Sequence, residues 1–410
     1  MLDKNSLGFT ILLSCLVALP PLSIDLGLPA FAPTAADLHT TEATVALTLS
    51  WFMLGFSAGP LLYGPMSDRF GRKPVMVAGL ALYVVASVLC TVAPSIDVLL
   101  AARLVQGLAA ASGTVLAIAT IRDLFDGIAA RKKISYVMAI NAVMPLTAPT
   151  IGVHVLAIGG WRSGYGLMAA FGAGLLAAVL LGFSESIARR IPDALAPRQL
   201  VEGYREVLRH PVSPKAALLN AMCFGVLFSY ISGSSILFMG LMGLSPATYG
   251  YVFAVPVTGA IAGTLLNGML LGRGAPPRRL IRIGLALIAA TAMLFLLLTL
   301  APLDGRLAVV VGLLLVSAFG VGLVGPNASY AAMRDLPHRA GVASAVLTSA
   351  QMMVAALASA VVAALFGHLG ASAMPAVMVG FAALAWALYL ATPAPPPAGT
   401  AAPPASGPAA

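Results

Sequence analysis

The sequence predicts an all-α integral membrane protein of twelve transmembrane helices in two six-helix halves. Three observations carry that prediction. The 410 residues are 60% hydrophobic and only 9% charged, whereas soluble domains carry about a quarter charged residues, so no soluble fold could dress its surface from this composition. Apolar runs of about twenty residues, enough to cross hydrocarbon at ~1.5 Å per residue, recur along the whole chain. Of the 23 Lys and Arg residues, all but Arg103, Arg162 and Arg306 lie at the N-terminus or in every second loop. That asymmetry fixes orientation and places both termini on the cytoplasmic side. A net charge of +9 would suggest nucleic acid in a soluble chain. Collected in loops it reports topology, with the lipid bilayer as partner and no nucleic acid.

Taken in order, the first run, 8–30, is too long and too poorly bounded by a cleavage site for a removable leader, and is expected to be the first span. Its Pro20, Pro21 and Pro29 remove backbone donors and are expected to bend or loosen the helix. Spans two and three, 43–63 and 75–93, flank Gly64-Pro65-Met66-Ser67-Asp68-Arg69-Phe70-Gly71-Arg72-Lys73-Pro74. One acid and three bases cannot sit in hydrocarbon, so a short polar turn is expected there. Gly64 and Gly71 permit close approach or unusual dihedrals, Asp68 is placed to accept from N–H groups at a helix start, and Pro74 suits the first turn of span three.

Spans four to six are expected at 97–120, 135–157 and 163–184. The linker 185–214 follows, and its segment Leu200–Arg209 mixes apolar and charged residues as an amphipathic helix on the membrane surface does. Spans seven to twelve are expected at 215–239, 246–271, 280–300, 307–330, 340–366 and 372–391. Loop 8–9, Gly268…Gly272-Arg273-Gly274…Arg278-Arg279, stands where Gly64–Pro74 stands in the first half and keeps glycines and bases without the acid. It suggests parallel repeats with a site between them near the midplane. The units expected are therefore 1–184, 185–214, 215–391 and a chargeless tail, 392–410, that is disordered and dispensable. Cys15, Cys90 and Cys223 fall inside apolar runs and read as small buried hydrophobes, neither disulfide-forming nor metal-binding.

Of 14 acidic side chains, only Asp25 lies inside a span, with Glu185 at the inner end of span six. An ionisable group at that depth needs a partner or a purpose; the plainer alternative is that it bonds neighbouring backbone or hydroxyls. Arg103 is the base of span four, followed by Gln106 and Gly107. Counting from Ala30 and Asp97 at ~1.5 Å per residue, Asp25 lies roughly 7 Å and Arg103 roughly 9 Å inside the outer surface. The two would share a cavity if spans one and four face each other. The alternative for Arg103 is a carbonyl or headgroup reached by snorkelling. Pro145, Pro149 and Gly152 would bend span five and give a neighbour a smooth face. Asn141, Met144, Phe228, Tyr230 and Met239 would suit a greasy pocket with a few polar groups, or would simply pack against helices and lipid. His154 is expected to pack or to lie at the interface.

Gly64, Asp68, Arg69, Gly71, Arg72 and Lys73 form Gly-x-x-x-Asp-Arg-x-Gly-Arg-Lys, which resembles the loop 2–3 signature of the major facilitator superfamily at every position. Ser-Ile-Asp-x-x-x-Pro at Ser23–Pro29, Arg-x-x-Gln-Gly at Arg103–Gly107, Arg122-Asp123 and Ala-Pro-x-x-Gly at Ala148–Gly152 are similar to the Bcr/CflA group of drug:proton antiporters. That group includes bicyclomycin and chloramphenicol–florfenicol exporters, and the likeness runs from about Ser6 to Ala391. The resemblance implies the major facilitator fold, proton and substrate handling at Asp25, and coupling at Arg103. It also implies that Asp68 ties loop 2–3 to the inner start of span eleven near Gly341 in one state, with Arg69, Arg72 and Lys73 fixing that contact. Val153 stands where the group usually has a second glycine, which bears on the packing of spans five and eight. No second acid stands near Val17, which limits the protons exchanged per cycle.

The reading is thus a monomeric, proton-coupled antiporter of the cytoplasmic (inner) membrane, exporting amphipathic drugs or related small molecules, with no cofactor and no metal. The runner-up is a proton-coupled uptake symporter for a small metabolite. A membrane-embedded enzyme acting on lipid would need HExxH, paired acids or clustered histidines, and the sequence has none. A structural or receptor protein gives no reason for a buried acid and base. Without a P-loop, ATP is not the energy source.

Overall fold

The computed structural model describes residues 3–187, 189–303 and 305–392, and these form helices without a strand. The tail beyond Thr392 lies outside the described residues. Helix α1, Leu7–Asp25, starts at a Ser6 cap and runs straight through Pro20 and Pro21. It stops at Asp25, and a 3₁₀ turn, Leu28–Ala30, leads into α2, Phe31–Asp37. Pro29 is the proline that breaks this helix: its ring crowds the carbonyl of the residue four earlier, which is Asp25, and it brings no N–H to bond it. The first apolar segment therefore runs on to Asp37, and Asp25 lies further from the segment's C-terminal end than a count from Ala30 gives.

Helices α3, Glu42–Phe70, and α4, Arg72–Thr91, are separated by Gly71 alone, at φ +104°. The polar turn expected over Gly64–Pro74 is one residue long. The rest of the motif is helix, because its charged side chains solvate themselves at the basic end and leave the backbone ladder intact. Next come α5, Ile96–Leu124, capped by Ser95, and α6, Gly127–Gly182, broken where Gly159 and Gly160 leave helical geometry. Helix α7 spans Pro197–Arg209. The remaining helices are α8, Ser213–Ser235, which continues as a π-helical turn Ile236–Leu241, α9, Pro246–Gly272, α10, Pro277–Leu298, α11, Leu307–Met333, α12, Ala340–Leu369, and α13, Ala373–Ala391.

Ten segments among the described residues are long and apolar enough to cross a membrane. Two of them, 127–182 and 337–391, are 56 and 55 residues long. At ~1.5 Å per residue either would reach far past a hydrocarbon core of ~30 Å, so neither is a single straight crossing. Each is interrupted near a glycine of positive φ, Gly160 and Gly370.

Packing sorts the long helices into two sets. In one, α1 lies on α5 and α6, α3 on α5, and α4 on α5 and α6; in the other, α8 lies on α11, α12 and α13, α9 on α11, and α10 on α11 and α13. The sets meet through α3 with α12 and α6 with α9. Lipid offers no hydrophobic drive for helices to pair, so close pairs rest on small residues that let backbones approach. A Cβ on Gly107 of α5 would stand 1.8 Å from the Phe52 carbonyl oxygen, and one on Gly55 of α3 would stand 1.9 Å from that of Leu104. The corresponding pair in the second set, α9 and α11, uses Gly259 against Leu315 and Gly322 against Ala260. Gly152 serves a different neighbour from the one its motif suggested: a Cβ there would lie 2.2 Å from the Leu26 carbonyl oxygen at the end of α1. The α6–α9 approach is made instead by Gly250, whose Cβ would meet the Thr150 hydroxyl at 3.0 Å.

Candidate functional site

At the basic end, Arg72 opens α4 and lies between two acids. It donates from Nη1 to Asp68 Oδ1 at 2.6 Å and from Nε to Asp123 Oδ2 at 2.8 Å, with Ser67 Oγ as a further acceptor at 2.6 Å. The free N–H groups of α4 are capped by Glu185, not by Asp68: Arg72 N and Lys73 N donate to its two carboxylate oxygens at 2.9 and 3.3 Å. Glu185 arrives from beyond α6 because Asp68 is still inside α3 and is occupied by Arg72. Lys73 Nζ donates to the Phe183 and Leu180 carbonyls at 2.6 and 3.0 Å, closing the end of α6, where a cation suits the helix dipole. Arg69 lies over the Phe70 ring at 5.3 Å.

A chamber of about 580 Å³ adjoins this cluster. Its walls are Phe56, Pro60 and Asp68 of α3, Ile118, Arg122 and Asp123 of α5, Leu200 and Tyr204 of α7, and Gly341 and Thr348 of α12. Asp68 and Gly341 thus sit on the same chamber's wall, and the bond made by Asp68 goes to Arg72. Helix α7 ties both sides together. Tyr204 donates to the Leu61 carbonyl of α3 at 2.9 Å, while Glu206 meets His338 at 2.6 Å and Arg339 at 2.8 Å just before α12. His338 first, and then Arg339, hold the Glu206 carboxyl below the usual glutamate range.

Deeper in the first set of helices, Arg103 is 1% exposed. Its guanidinium donates to the Thr48 carbonyl at 3.3 Å, to Gln106 Oε1 at 2.6 Å and to the Ser23 carbonyl at 3.0 Å. The Phe52 ring lies 4.4 Å away and that of Tyr165 5.7 Å. Gln106 passes the chain on to Ser87 at 2.8 Å, and Ser23 Oγ pairs with the Tyr83 hydroxyl at 2.6 Å. None of the Arg103 bonds goes to a carboxylate. Asp25, two residues along from Ser23, is 2% exposed, and its Oδ1 is fully buried without a hydrogen bond. No hydrogen bond joins Asp25 to Arg103, the pair that the sequence suggested would share a cavity. Ser23 is in the last turn of α1, so its carbonyl has no intrahelical donor and takes the arginine's hydrogen bond.

Residues 13–359 match the Major Facilitator Superfamily. The chain belongs to that superfamily. An uncharacterized transporter of the superfamily from Bacillus subtilis, YdgK, is 31% identical over 363 residues, which cover 88% of this chain and 89% of the relative. A bicyclomycin resistance protein homolog of Haemophilus influenzae is 30% identical, covering 88% and 90%, and the multidrug resistance protein MdtL of Escherichia fergusonii is 30% identical, covering 84% and 85%. Among solved structures, a bacterial homolog of the human lysosomal transporter Spinster, inward-facing and occupied, overlays with a TM-score of 0.72 at 17% identity, covering 95% of this chain and 97% of that one. These findings make the chain a multi-pass membrane transporter of the major facilitator fold.

The pocket residues suggested by sequence fall elsewhere in this facilitator. Asn141, Met144, Phe228, Tyr230 and Met239 do not line the 580 Å³ chamber, whereas Met138, about one turn from Asn141, does. Tyr230 is turned toward the Phe253 carbonyl, to which it donates at 2.9 Å, and it stacks on that ring at 5.4 Å. Phe228 is buried, and Met144 and Met239 are half-buried against the core. Pro145 and Pro149 sit inside α6 without interrupting it, since its break comes at Gly159 and Gly160. His154 bonds the Thr150 carbonyl at 2.8 Å on an exposed face. Sequence reasoning missed the grip of Ser23, Ser87 and Tyr83 around Arg103 and Gln106, although Ser23 stood in a quoted motif. It also passed over Tyr249 and Ser234, whose hydroxyls meet at 2.9 Å, because a serine and a tyrosine in apolar runs carry no spacing signal.

Proposed function

We propose that this chain exports amphipathic small molecules of drug type across the cytoplasmic membrane in exchange for protons, crossing it twelve times with both termini on the cytoplasmic side. The two long segments 127–182 and 337–391 each count as a pair of crossings divided at their glycine breaks. A monomer suffices, and no cofactor enters. The observation that carries the proposal is the Asp25 carboxyl. It is sealed inside the protein rather than turned to lipid, it stands at a proline-induced helix end, and its Oδ1 takes no hydrogen bond. A bare carboxylate in such a place is costly, so its proton is held and released as the surroundings change. The names of the Haemophilus and Escherichia relatives support drug export as the direction.

In the cycle, substrate enters the chamber between α3, α5, α7 and α12 from the basic, cytoplasmic end. Asp25 gives up its proton as the two helix sets rock around the cargo, and takes one from outside as cargo leaves. Arg103 contributes by holding the ends of α1, α3 and α5 in register. The test is drug uptake into inside-out vesicles under an imposed pH gradient. Asp25→Asn is expected to abolish uphill accumulation while the protein still elutes as a folded species and lets substrate equilibrate downhill. An Asn variant that accumulates drug against its gradient ends the assignment.

A further inference from the structure

The chamber at the basic end holds one charge that nothing in the fold uses. Five charged side chains stand in its walls: Asp68, Arg72, Arg122, Asp123 and Arg339. Four of them are bound up in ion pairs, since Arg72 lies between Asp68 at 2.6 Å and Asp123 at 2.8 Å, and Arg339 holds Glu206 of α7 at 2.8 Å. Asp123 is engaged at both carboxylate oxygens, with Ser186 Oγ as a further donor at 3.2 Å. Arg122 is the fifth. It lies in the last turn of α5, is exposed, and forms no ion pair with an acid among the described residues. A base in a last turn suits the helix dipole wherever around the turn it stands; Arg122 stands on the side that lines the chamber.

Along the same face of α5, at four-residue spacing, come Ile118 and Thr114, which line the chamber too. Thr114 is about 12 Å further in along the helix, and its hydroxyl has no hydrogen-bond partner. Much of the remaining wall is apolar, with Phe56 and Pro60 of α3, Met138 of α6 and Ala345 of α12. A guanidinium presents paired donors in one plane, which match a carboxylate or a sulfonate. Apolar walls take up an aromatic or aliphatic body.

We propose that Arg122 is a specificity-determining residue of the chamber and that the preferred cargo is an amphipathic organic anion. Its carboxylate or sulfonate takes the free guanidinium, and its apolar body lies along α5 toward Thr114. A cationic cargo finds no equivalent, because the acids of the wall are already paired with Arg72. The assignment rests on the export reading for the direction of movement, and on the chamber's own geometry for the class of cargo. An organic anion leaving and a proton entering are electrically of one sense, so the membrane potential assists both. Because Arg122 stays in contact with water, the preference for an anion is about five- to tenfold and shrinks with added salt.

The experiment measures equilibrium binding of three labelled probes of one shape and different charge: 4-biphenylcarboxylate, 4-biphenylcarboxamide and 4-biphenylmethylammonium. The full-length protein is held in phosphatidylcholine nanodiscs, with no pH gradient and with empty nanodiscs as the blank. The carboxylate is expected to bind about five- to tenfold more tightly than the amide, and the ammonium more weakly than either. Arg122→Gln is expected to bring carboxylate and amide within about twofold of each other, and Arg122→Lys to keep part of the preference. Equal binding of the three by the native protein, tighter binding of the ammonium, a preference unchanged in Arg122→Gln, or binding of none of the three overturns the inference. If Arg122→Gln does not fold, salt decides: a native preference that persists undiminished at about 1 M salt overturns it. Uptake of the amide into inside-out vesicles tests the export reading separately. Uphill pumping by Asp25→Asn removes proton coupling at that acid and leaves the anion preference standing, whereas equal affinities beside an Asp25→Asn protein that cannot pump remove only the role of Arg122.

Discussion

Replacing Arg103 by Met separates scaffold from coupling. Methionine fills much of the same volume and keeps the packing against Phe52 and Tyr165, so the loss is mainly polar. The Ser23 carbonyl is bonded by no backbone N–H, and Gln106 Oε1 accepts from Arg103 alone. Two buried acceptors left bare cost about 1–3 kcal/mol each, and the cation over Phe52 adds about 1 kcal/mol. The Thr48 carbonyl lies within α3 and keeps its helical bond. Relief from burying a charge offsets part of this, leaving a net destabilisation of about 3 kcal/mol. For a cooperative unit of about 180 residues, melting ~2–4 °C lower per kcal/mol, that is a fall of about 6–12 °C. The assay is thermal unfolding of the purified protein in nanodiscs, with Asp25→Asn as the comparison. Arg103→Met is expected to melt early, and Asp25→Asn at or above the native temperature because it removes an unsatisfied buried acid. An Arg103→Met protein melting within about 2 °C of native refutes the scaffold account, since the bonds assigned to the guanidinium would then contribute almost nothing.

Two further predictions test the frame around the site. Gly107→Ala is expected to destabilise by about 1–3 kcal/mol, because its Cβ would fall 1.8 Å from the Phe52 carbonyl oxygen and α5 and α3 must part. Native melting by this variant would disprove the close approach. For α7, Glu206 has its carboxyl held below its ordinary value of 4.5 by His338 and Arg339. A group depressed in the folded state contributes its stability above the unfolded value, and the contribution is lost as pH falls through the folded value. The tie between α7 and α12 is therefore expected to hold at neutral pH and to loosen only below about pH 4.5. Spin labels at Glu202 on α7 and Gly341 on α12 would report this as a broadened distance distribution, and one unchanged in acid would rule the tie out.

The membrane class and the general placing of the helices were legible because they rest on composition and run length, which a chain displays openly. The Gly64–Lys73 motif was legible as a polar knot, but not as continuous helix up to Phe70. A charged helix end outside the hydrocarbon obeys no periodicity that separates it from a turn. The cap of α4 was hidden for another reason: Glu185 lies more than a hundred residues beyond the N–H groups it serves, and only folding brings the two together. Arg103 was recognisable as a buried base, yet its partners are mostly main-chain carbonyls, which every residue possesses and none advertises.

The acid and the base of the interior are treated in opposite ways, and that contrast carries the mechanism further than either residue alone. Arg103 has acceptors from α1, α3 and its own helix, all within one set, so rocking of one set against the other leaves them unbroken. A charge satisfied in every state cannot report which state the protein is in. Asp25 has the reverse arrangement: Oδ1 takes no bond from its own set, and the 3₁₀ turn that follows it packs on α8 and α9 of the other. Any motion between the sets changes the donors available to its carboxyl, and so changes the cost of its charge. By reciprocity, adding or removing that proton biases the motion by the same free energy. On the reading proposed above, a fixed cation anchoring the α1 break and an under-solvated acid beside the interface would together couple proton binding to the rocking of the sets.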